Sequence, residues 1–419
     1  MFKFIHAADI HLDSPLRGLE QYEGAPVEEI RVAARRALEN LIDLAIREKV
    51  AFVLIAGDLY DGDWRDYNTG HFFVNQVRRL READIPLYLI SGNHDAANRM
   101  TRTLKMPENV TFFSTERSET AYLSDLGVAI HGQGFATAAV YDDLSEAYPQ
   151  ADSGLLNIGM LHTCAAGREG HDRYAPCSVE GLKSKGYDYW ALGHIHLREV
   201  LSEKPFIAFS GNIQGRHVRE TGPKGCLLVT VNDDRTLQPD FQPLDVLRWE
   251  KAIVDVGDCR GMDDVLGRVS SEIELLHGQA AGRPLAMRVE LAGETTANVQ
   301  LHAKKDYLAN EIRSLGIDVG KGGVWIEKIR LLTTDPASKP VLGNVPDDAL
   351  SEVAFLFEQI RAESGRAKSI GFDLADVVKK LPVELKQLAR IDDEEWLSDV
   401  LTAAEPLLHS RLTGMENLE

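Results

Sequence analysis

Five short segments of this chain each end an apolar run with residues that bind metals or move protons. They read Asp9-Ile10-His11, Gly57-Asp58-Leu59-Tyr60-Asp61, Gly92-Asn93-His94-Asp95, Met160-Leu161-His162 and Gly193-His194-Ile195-His196. The runs before them are Phe2 to Ala7, Phe52 to Ala56, Leu87 to Ile90, Leu155 to Met160 and Tyr189 to Leu192. Each is short and apolar, which predicts a buried strand. Sites in open α/β sheets form at the carboxyl ends of the strands. Asp, His, Asp, Asn, His, His and His delivered to one such edge would build a dinuclear metal centre, a known solution for displacement at phosphorus.

Imidazole and carboxylate together suit Mn²⁺, Fe or Zn²⁺ better than Ca²⁺, and the lack of thiolate argues against a structural zinc site. Holding two cations about 3.5–4 Å apart calls for a bridging ligand. Asp58 is the natural bridge, because Gly57 before it lets the backbone come close. Asp9 and His11 stand two apart, as do His194 and His196. On a continuing strand each pair would face one side and send two ligands into one pocket.

In order and spacing these segments resemble the signature of the calcineurin-like metallophosphoesterases: D-x-H, G-D, G-N-H-[DE], H and G-H-x-H. The match covers roughly the first 230 residues. Within that family, His6 to Asp13 and Ala191 to His196 look most like SbcD-type DNA nucleases. Gly57 to Thr69 and Ser210 to Arg216 resemble the YhaO-type branch of DNA repair exonucleases. Carried over by motif, the resemblance implies one metal held by Asp9, His11, Asp58 and His196, and a second by Asp58, Asn93, His162 and His194. His94 would be the general acid for the leaving oxygen, with Asp95 orienting it. The ions implied are two divalent metals, Mn²⁺ foremost. One position departs from the SbcD pattern: three residues after the bridging Asp, where a second catalytic His is usual, stands Asp61. His6, His71, His131, His171 and His217 fall outside the signature. His131 and His171 read as structural or surface residues, and His217 as either a phosphate contact or a surface residue.

These ligands need a scaffold. The region to about residue 245 alternates strand and helix, with apolar helical faces at Glu28 to Glu48 and Phe72 to Leu80. Shorter runs follow at Phe206 to Phe209 and Cys226 to Val231 and read as antiparallel strands. The fold class is α/β, and the resemblance implies a four-layer α/β/β/α sandwich. Residues 246–335 restart the pattern as β-α-β-α-β: Lys251 to Val256, Met262 to Leu276, Leu285 to Leu291, Ala297 to Leu315 and Val324 to Leu332. That is a small α+β module. SbcD-like nucleases carry a capping domain at this place. Thr334 to Pro346 reads as a linker. Residues 346–419 form a C-terminal helical region, with helices expected at Asp347 to Ala362, Leu374 to Leu388 and Glu394 to Arg411. By resemblance this region docks on an SMC-like coiled-coil ATPase; the alternative is a bundle packed on the cap.

The formal net charge of −19 runs against a DNA enzyme, because phosphate contacts need Lys and Arg. Residues 346–419 hold 16 acidic and 8 basic side chains, so much of the imbalance lies in the tail. Basic residues gather just past the motifs: Arg99, Arg102 and Lys105; Arg168 and Arg173; Arg216, Arg219 and Lys224. Of these, Arg99, Arg102, Arg216 and Arg219 are the candidate nucleic-acid contacts. No stretch approaches twenty apolar residues, so no membrane span is expected. Met1-Phe-Lys-Phe-Ile-His leads straight into the first strand with no signal region, and the four cysteines show no C-x-x-C pairing. Both point to the cytoplasm. The leading expectation is a Mn²⁺-dependent DNA exonuclease with DNA and an ATPase subunit as partners; a homodimer is compatible with it. The alternatives are a hydrolase of small phosphodiesters or nucleotides on the same centre, and a non-catalytic DNA-end or partner-binding subunit.

Overall fold

The computed structural model describes residues 1–14, 26–61, 67–96, 105–165 and 174–336, with 355–357, 359, 360, 401 and 404. The expected linker beyond residue 336 and the C-terminal helices fall almost wholly outside these residues, as do Arg99, Arg102, Arg168, His171 and Arg173. The chain divides into two compact units, Met1–Glu250 with Arg283–Ala286, and Lys251–Gly282 with the chain from Met287 on.

In chain order the first unit holds β1 (Phe2–Ala7), α1 (Val27–Glu48), β2 (Phe52–Ala56), α2 (Tyr67–Glu82), β3 (Leu87–Ile90), β4 (Val110–Phe112), β5 (Glu119–Leu123), β6 (Val128–Gly132), β7 (Leu156–His162), α3 (Val179–Ser184), β8 (Tyr189–Gly193), β9 (Glu199–Glu203), β10 (Phe206–Phe209), β11 (Gly225–Val231) and β12 (Leu237–Pro243). They build two sheets, ordered β12-β11-β1-β2-β3-β4 and β5-β6-β7-β8-β10-β9. The ligand-bearing strands are neighbours in each: β1, β2 and β3 pair in parallel, as do β7 and β8.

The layering follows from the alternation of side chains along strands buried on both faces. Phe52, Leu54 and Ala56 of β2 point into the core between the sheets, with Phe4, Ile158, Met160 and Tyr189. Val53 and Ile55 point the other way, onto Leu38, Leu41 and Leu44 of α1 and Phe73 and Val77 of α2. Beyond the second sheet, Leu161, Trp190, Leu192 and Phe209 pack with Leu182 of α3. The result is the α/β/β/α order expected. β7 runs two residues past the expected end, because His162 still pairs with Gly193 of β8.

The second unit contains most of β13 (Arg248–Asp255), α4 (Met262–Gln279), most of β14 (Leu285–Glu294), α5 (Asn298–Ala303), α6 (Lys305–Gly320) and β15 (Val324–Thr334). Its strands form one sheet, β13-β14-β15, and α6 packs on α4 and β15. The single helix expected over Ala297 to Leu315 is two, broken at Lys304 with φ −114 and ψ 35, and α6 continues to Gly320. The first unit takes in Arg248, Trp249 and residues 283–286 through definite bonds. Arg248 N–H donates to Pro284 O, the indole of Trp249 to Gly215 O, and Arg283 to the carbonyl of Asp245. Among the described residues, no helix is long and apolar enough to cross a membrane.

Candidate dinuclear metal centre

The loops after β1 and β2 run side by side. Asp9 N–H donates to Gly57 O, His11 N–H to Asp58 O and Leu12 N–H to Leu59 O. This pairing sets Asp9, His11 and Asp58 together at the sheet edge. The two pairs of ligands converge differently from expectation. β1 ends at Ala7, and Asp9 (φ 53), His11 (φ 46), Asp58 (φ 51) and His194 (φ 98) all take positive φ. Left-handed turns, not the pleat of a continuing strand, aim these side chains. Such backbone is costly for residues with a Cβ and gathers at functional sites. Two glycines make room for it. A Cβ on Gly193 would lie 1.9 Å from Ala56 O, and one on Gly92 would lie 2.2 Å from Asp58 Oδ1.

All seven expected ligands come together. Asp58 Oδ2 is 3.4 Å from His162 Nε2 and 3.7 Å from His11 Nε2, which puts it between the two groups. Its other oxygen accepts the His94 amide at 2.9 Å. Asn93 Oδ1 is 2.9 Å from His162 Nε2 and 3.2 Å from His194 Nδ1. His11 Nε2 and His196 Nε2 are 3.1 Å apart. Asp9 accepts the His194 amide at 3.0 Å. Donor atoms of Asp9, His11 and His196, and of Asp9, Asp58 and His162, lie within 4.8 Å of one another; so do those of His11, Asp58 and His94.

These residues fit a pair of cations. His162 Nδ1 is held by Ala56 O at 3.0 Å and His196 Nδ1 by Glu220 at 2.7 Å, which turns each Nε2 inward toward the centre. The inward Nε2 of His162 faces Asn93 Oδ1, and that of His196 faces the His11 ring. Burial and the charge of Arg216 hold the His11 imidazole well below the ordinary range, hence neutral. Burial opposes a proton on His162 too, yet the Asp58 and Asp9 carboxylates lift it to about 9. A buried cluster of carboxylates and imidazoles that draws positive charge so strongly is what a metal ion satisfies in place of protons.

Asp61, not Asp95, holds the His94 ring. His94 Nδ1 is 2.6 Å from Asp61 Oδ1, and this bond, against burial, raises the affinity of the ring for a proton. Both Asp95 oxygens are taken by backbone amides, from Leu59 at 3.0 Å, Tyr60 at 2.8 Å and Gly92 at 3.1 Å. Asp95 therefore braces the two loops to each other. Burial and the neighbouring Asp58 push its carboxyl up to about 7.

The basic residues after the fifth motif differ in exposure. Arg216 is not an open surface cation. Its side chain is 17% exposed and lies against Asp61 and Glu220. Lys224 is buried and donates to His196 O. Arg219 and His217 are exposed. His6 and His131 are buried and bonded to Tyr189 and Leu192 O, and to Thr120 and Asn157, away from the centre. Glu220, which supports His196 from behind, went unrecognised in the sequence. A buried acid after Gly215-Arg216-His217 has no local spacing to mark it.

Residues 2–198 match the calcineurin-like phosphoesterase family, and residues 249–334 match the middle domain of the metallophosphoesterase YhaO. The "Uncharacterized metallophosphoesterase YhaO" of Bacillus subtilis (strain 168) is 37% identical over 316 residues, covering 74% of this chain and 76% of that protein. The chain belongs to the calcineurin-like metallophosphoesterases. A dimetal phosphatase from Danio rerio aligns in structure with a TM-score of 0.36 and 11% identity, over 57% of this chain and 96% of that one. As a metallophosphoesterase the protein is a hydrolase of phosphoester bonds, and its described residues include groups that could hold metal ions.

Proposed function

We propose that this metallophosphoesterase is a Mn²⁺-dependent DNA exonuclease that serves DNA repair with an SMC-like ATPase partner. The Asp61–His94 pair carries the proposal. With Nδ1 committed to Asp61, His94 Nε2 is left to deliver a proton beside the centre. A general acid matters where the leaving group is a poor one, such as a sugar hydroxyl, and adds little for an aryl ester. A second support is aromatic. The Tyr174 ring lies 5.9 Å from that of His194, and the Tyr141 ring, 70% exposed, lies 6.0 Å from Tyr174. Their chain neighbours are bonded to each other, Ala175 N–H to Val140 O, and Thr163 Oγ1 donates to Ala175 O. Aromatic faces at this distance from the candidate ligands suit the stacking of nucleobases.

Asp9, His11, Asp58 and His196 would hold one ion, and Asp58, Asn93, His162 and His194 the other. When bound, the ions supply charge neutralisation at the phosphoryl oxygens and an activated water. His94 gives its proton to the leaving sugar oxygen while Asp61 steadies the imidazolium. Glu220 keeps the His196 ring in the tautomer that presents Nε2. The test is cleavage of end-labelled single-stranded and duplex DNA with Mn²⁺, against bis-p-nitrophenyl phosphate. Shortened DNA products that vanish with chelator are expected. Cleavage of the small ester with DNA left intact would favour a small-phosphodiester hydrolase instead.

Arg219 remains the candidate phosphate contact among the described basic residues after the fifth motif. Arg219→Glu is expected to weaken DNA binding and lower its salt slope by about one, while hydrolysis of the small diester is unchanged. Equal loss on both substrates would place Arg219 in the fold or the centre. For the tail, with its excess of acidic groups, the partner is a coiled-coil ATPase and not DNA. Truncation after Thr334 is expected to keep metal binding and diester hydrolysis and to abolish association with that ATPase. Loss of the thermal transition on truncation would instead make the tail part of the core.

A further inference from the structure

Arg216 stands where two carboxylates that grip histidine rings come near each other. Its backbone N–H donates to Glu220 Oε2 at 2.7 Å, and Asn212 Nδ2 donates to the same oxygen at 3.0 Å. Glu220 Oε1 takes both His196 Nδ1, at 2.7 Å, and Arg216 Nη2, at 3.2 Å. On its other side Arg216 Nη1 is 3.4 Å from Asp61 Oδ2. Asp61 in turn accepts from Ser14 with that oxygen and holds His94 Nδ1 with the other. The side chains therefore form one chain, His94–Asp61–Arg216–Glu220–His196, around the rim of the centre.

The two ends of this chain differ in burial, the Asp61 side chain being 18% exposed. Glu220 is 6% exposed and tied by four groups, so it is a fixed wall. The Asp61 carboxylate is held by Ser14, His94 and Arg216. We propose that Arg216 is a positioning residue for proton delivery: it pins Asp61 to the Glu220 wall and so keeps the His94 ring aimed at the leaving oxygen. A planar guanidinium can span two carboxylates set apart in this way, and an ammonium can reach only one of them well. The chief competitor is direct binding of a phosphoryl oxygen by Arg216, whose Nε is buried with no hydrogen-bond partner among the described residues.

The inference rests on His94 being the general acid, and dependence on the leaving group separates the possibilities. Thymidine 5′-phosphodiesters with p-nitrophenol and with methanol as leaving groups would be compared in the Mn²⁺-loaded full chain. The variants are Arg216→Gln, Arg216→Lys, His94→Gln and the wild type, with metal content by elemental analysis and thermal transitions with and without chelator. For Arg216→Gln we expect kcat on the methyl ester to fall about 10- to 100-fold, below the ceiling for loss of the acid itself. The p-nitrophenyl ester should change by less than about threefold, with KM and metal content as in the wild type. Arg216→Lys should lie between, with the wild-type thermal transition. Equal losses on both esters, a rise in KM on both, or loss of metal would overturn the positioning role in favour of phosphate binding or support of His196. If His94→Gln discriminates between the esters and neither Arg216 variant does, the Arg216 role fails alone. If His94→Gln does not discriminate, the acid assignment fails and the role of Arg216 falls with it.

Discussion

Asp58→Asn is expected to leave the protein folded, short of at least one metal ion per chain, and without measurable phosphodiester hydrolysis. The side chain sits between two sets of ligands, 3.4 Å from His162 Nε2 and 3.7 Å from His11 Nε2. The amide keeps the shape and can still accept the His94 N–H. What it loses is the negative charge shared by the two sides. That charge draws a proton to His162 against the cost of burial, and the same charge would draw the cations. Changes behind a ligand already cost about 10- to 100-fold in metal affinity, so loss of a bridging carboxylate should cost more. Elemental analysis after dialysis reads the result directly. Two ions per chain at full occupancy in Asp58→Asn would exclude the bridge.

His94→Gln is expected to do the opposite: keep both ions and lose the chemistry on sugar esters. The ring lies among the ligands, and its donor atoms cluster with those of His11 and Asp58, so metal content must be measured rather than assumed. As a general acid it is worth on the order of 10²–10⁴ in rate. That loss should appear with DNA and largely disappear with p-nitrophenyl esters, whose leaving group needs no proton. Asp61→Asn should follow the same pattern at smaller amplitude, because it orients the ring. Asp95→Asn should not: it disturbs three backbone bonds that brace the loops after β2 and β3, so its first effect is on thermal stability. Loss of an ion in His94→Gln would make His94 a ligand and remove the role assigned to it.

The contrast between Asp95 and Asp61 shows how far local pattern reaches. Asp95 follows His94 directly and was the expected partner for that reason. In the fold, a residue next in sequence to His94 is turned toward the amides of Leu59, Tyr60 and Gly92. Asp61, 33 positions earlier, arrives at the ring because β2 and β3 are parallel neighbours. Arg216 shows the same limit. Its place in a basic cluster makes it a candidate nucleic-acid contact, and only the fold shows that the turn after β10 sets it against Asp61 and Glu220.

By itself the sequence determined the five strands that carry the candidate ligands and the edge at which Asp9, His11, Asp58, Asn93, His162, His194 and His196 gather; the two-sheet class came only with the family resemblance. Each of those signals is local. A run buried on both faces is apolar throughout, and a ligand must follow its strand at once to reach the carboxyl edge. Only the tertiary structure decided what stands behind the ligands. It set Asp61 on His94, Glu220 on His196, Arg216 between those two carboxylates, and Asp95 on backbone amides. It also decided that left-handed turns, in place of a continuing pleat, aim Asp9, His11 and His194. The physical reason is that a hydrogen-bond partner is chosen by proximity in space, and a single charged side chain carries no periodicity to announce where the packing of two sheets will bring it.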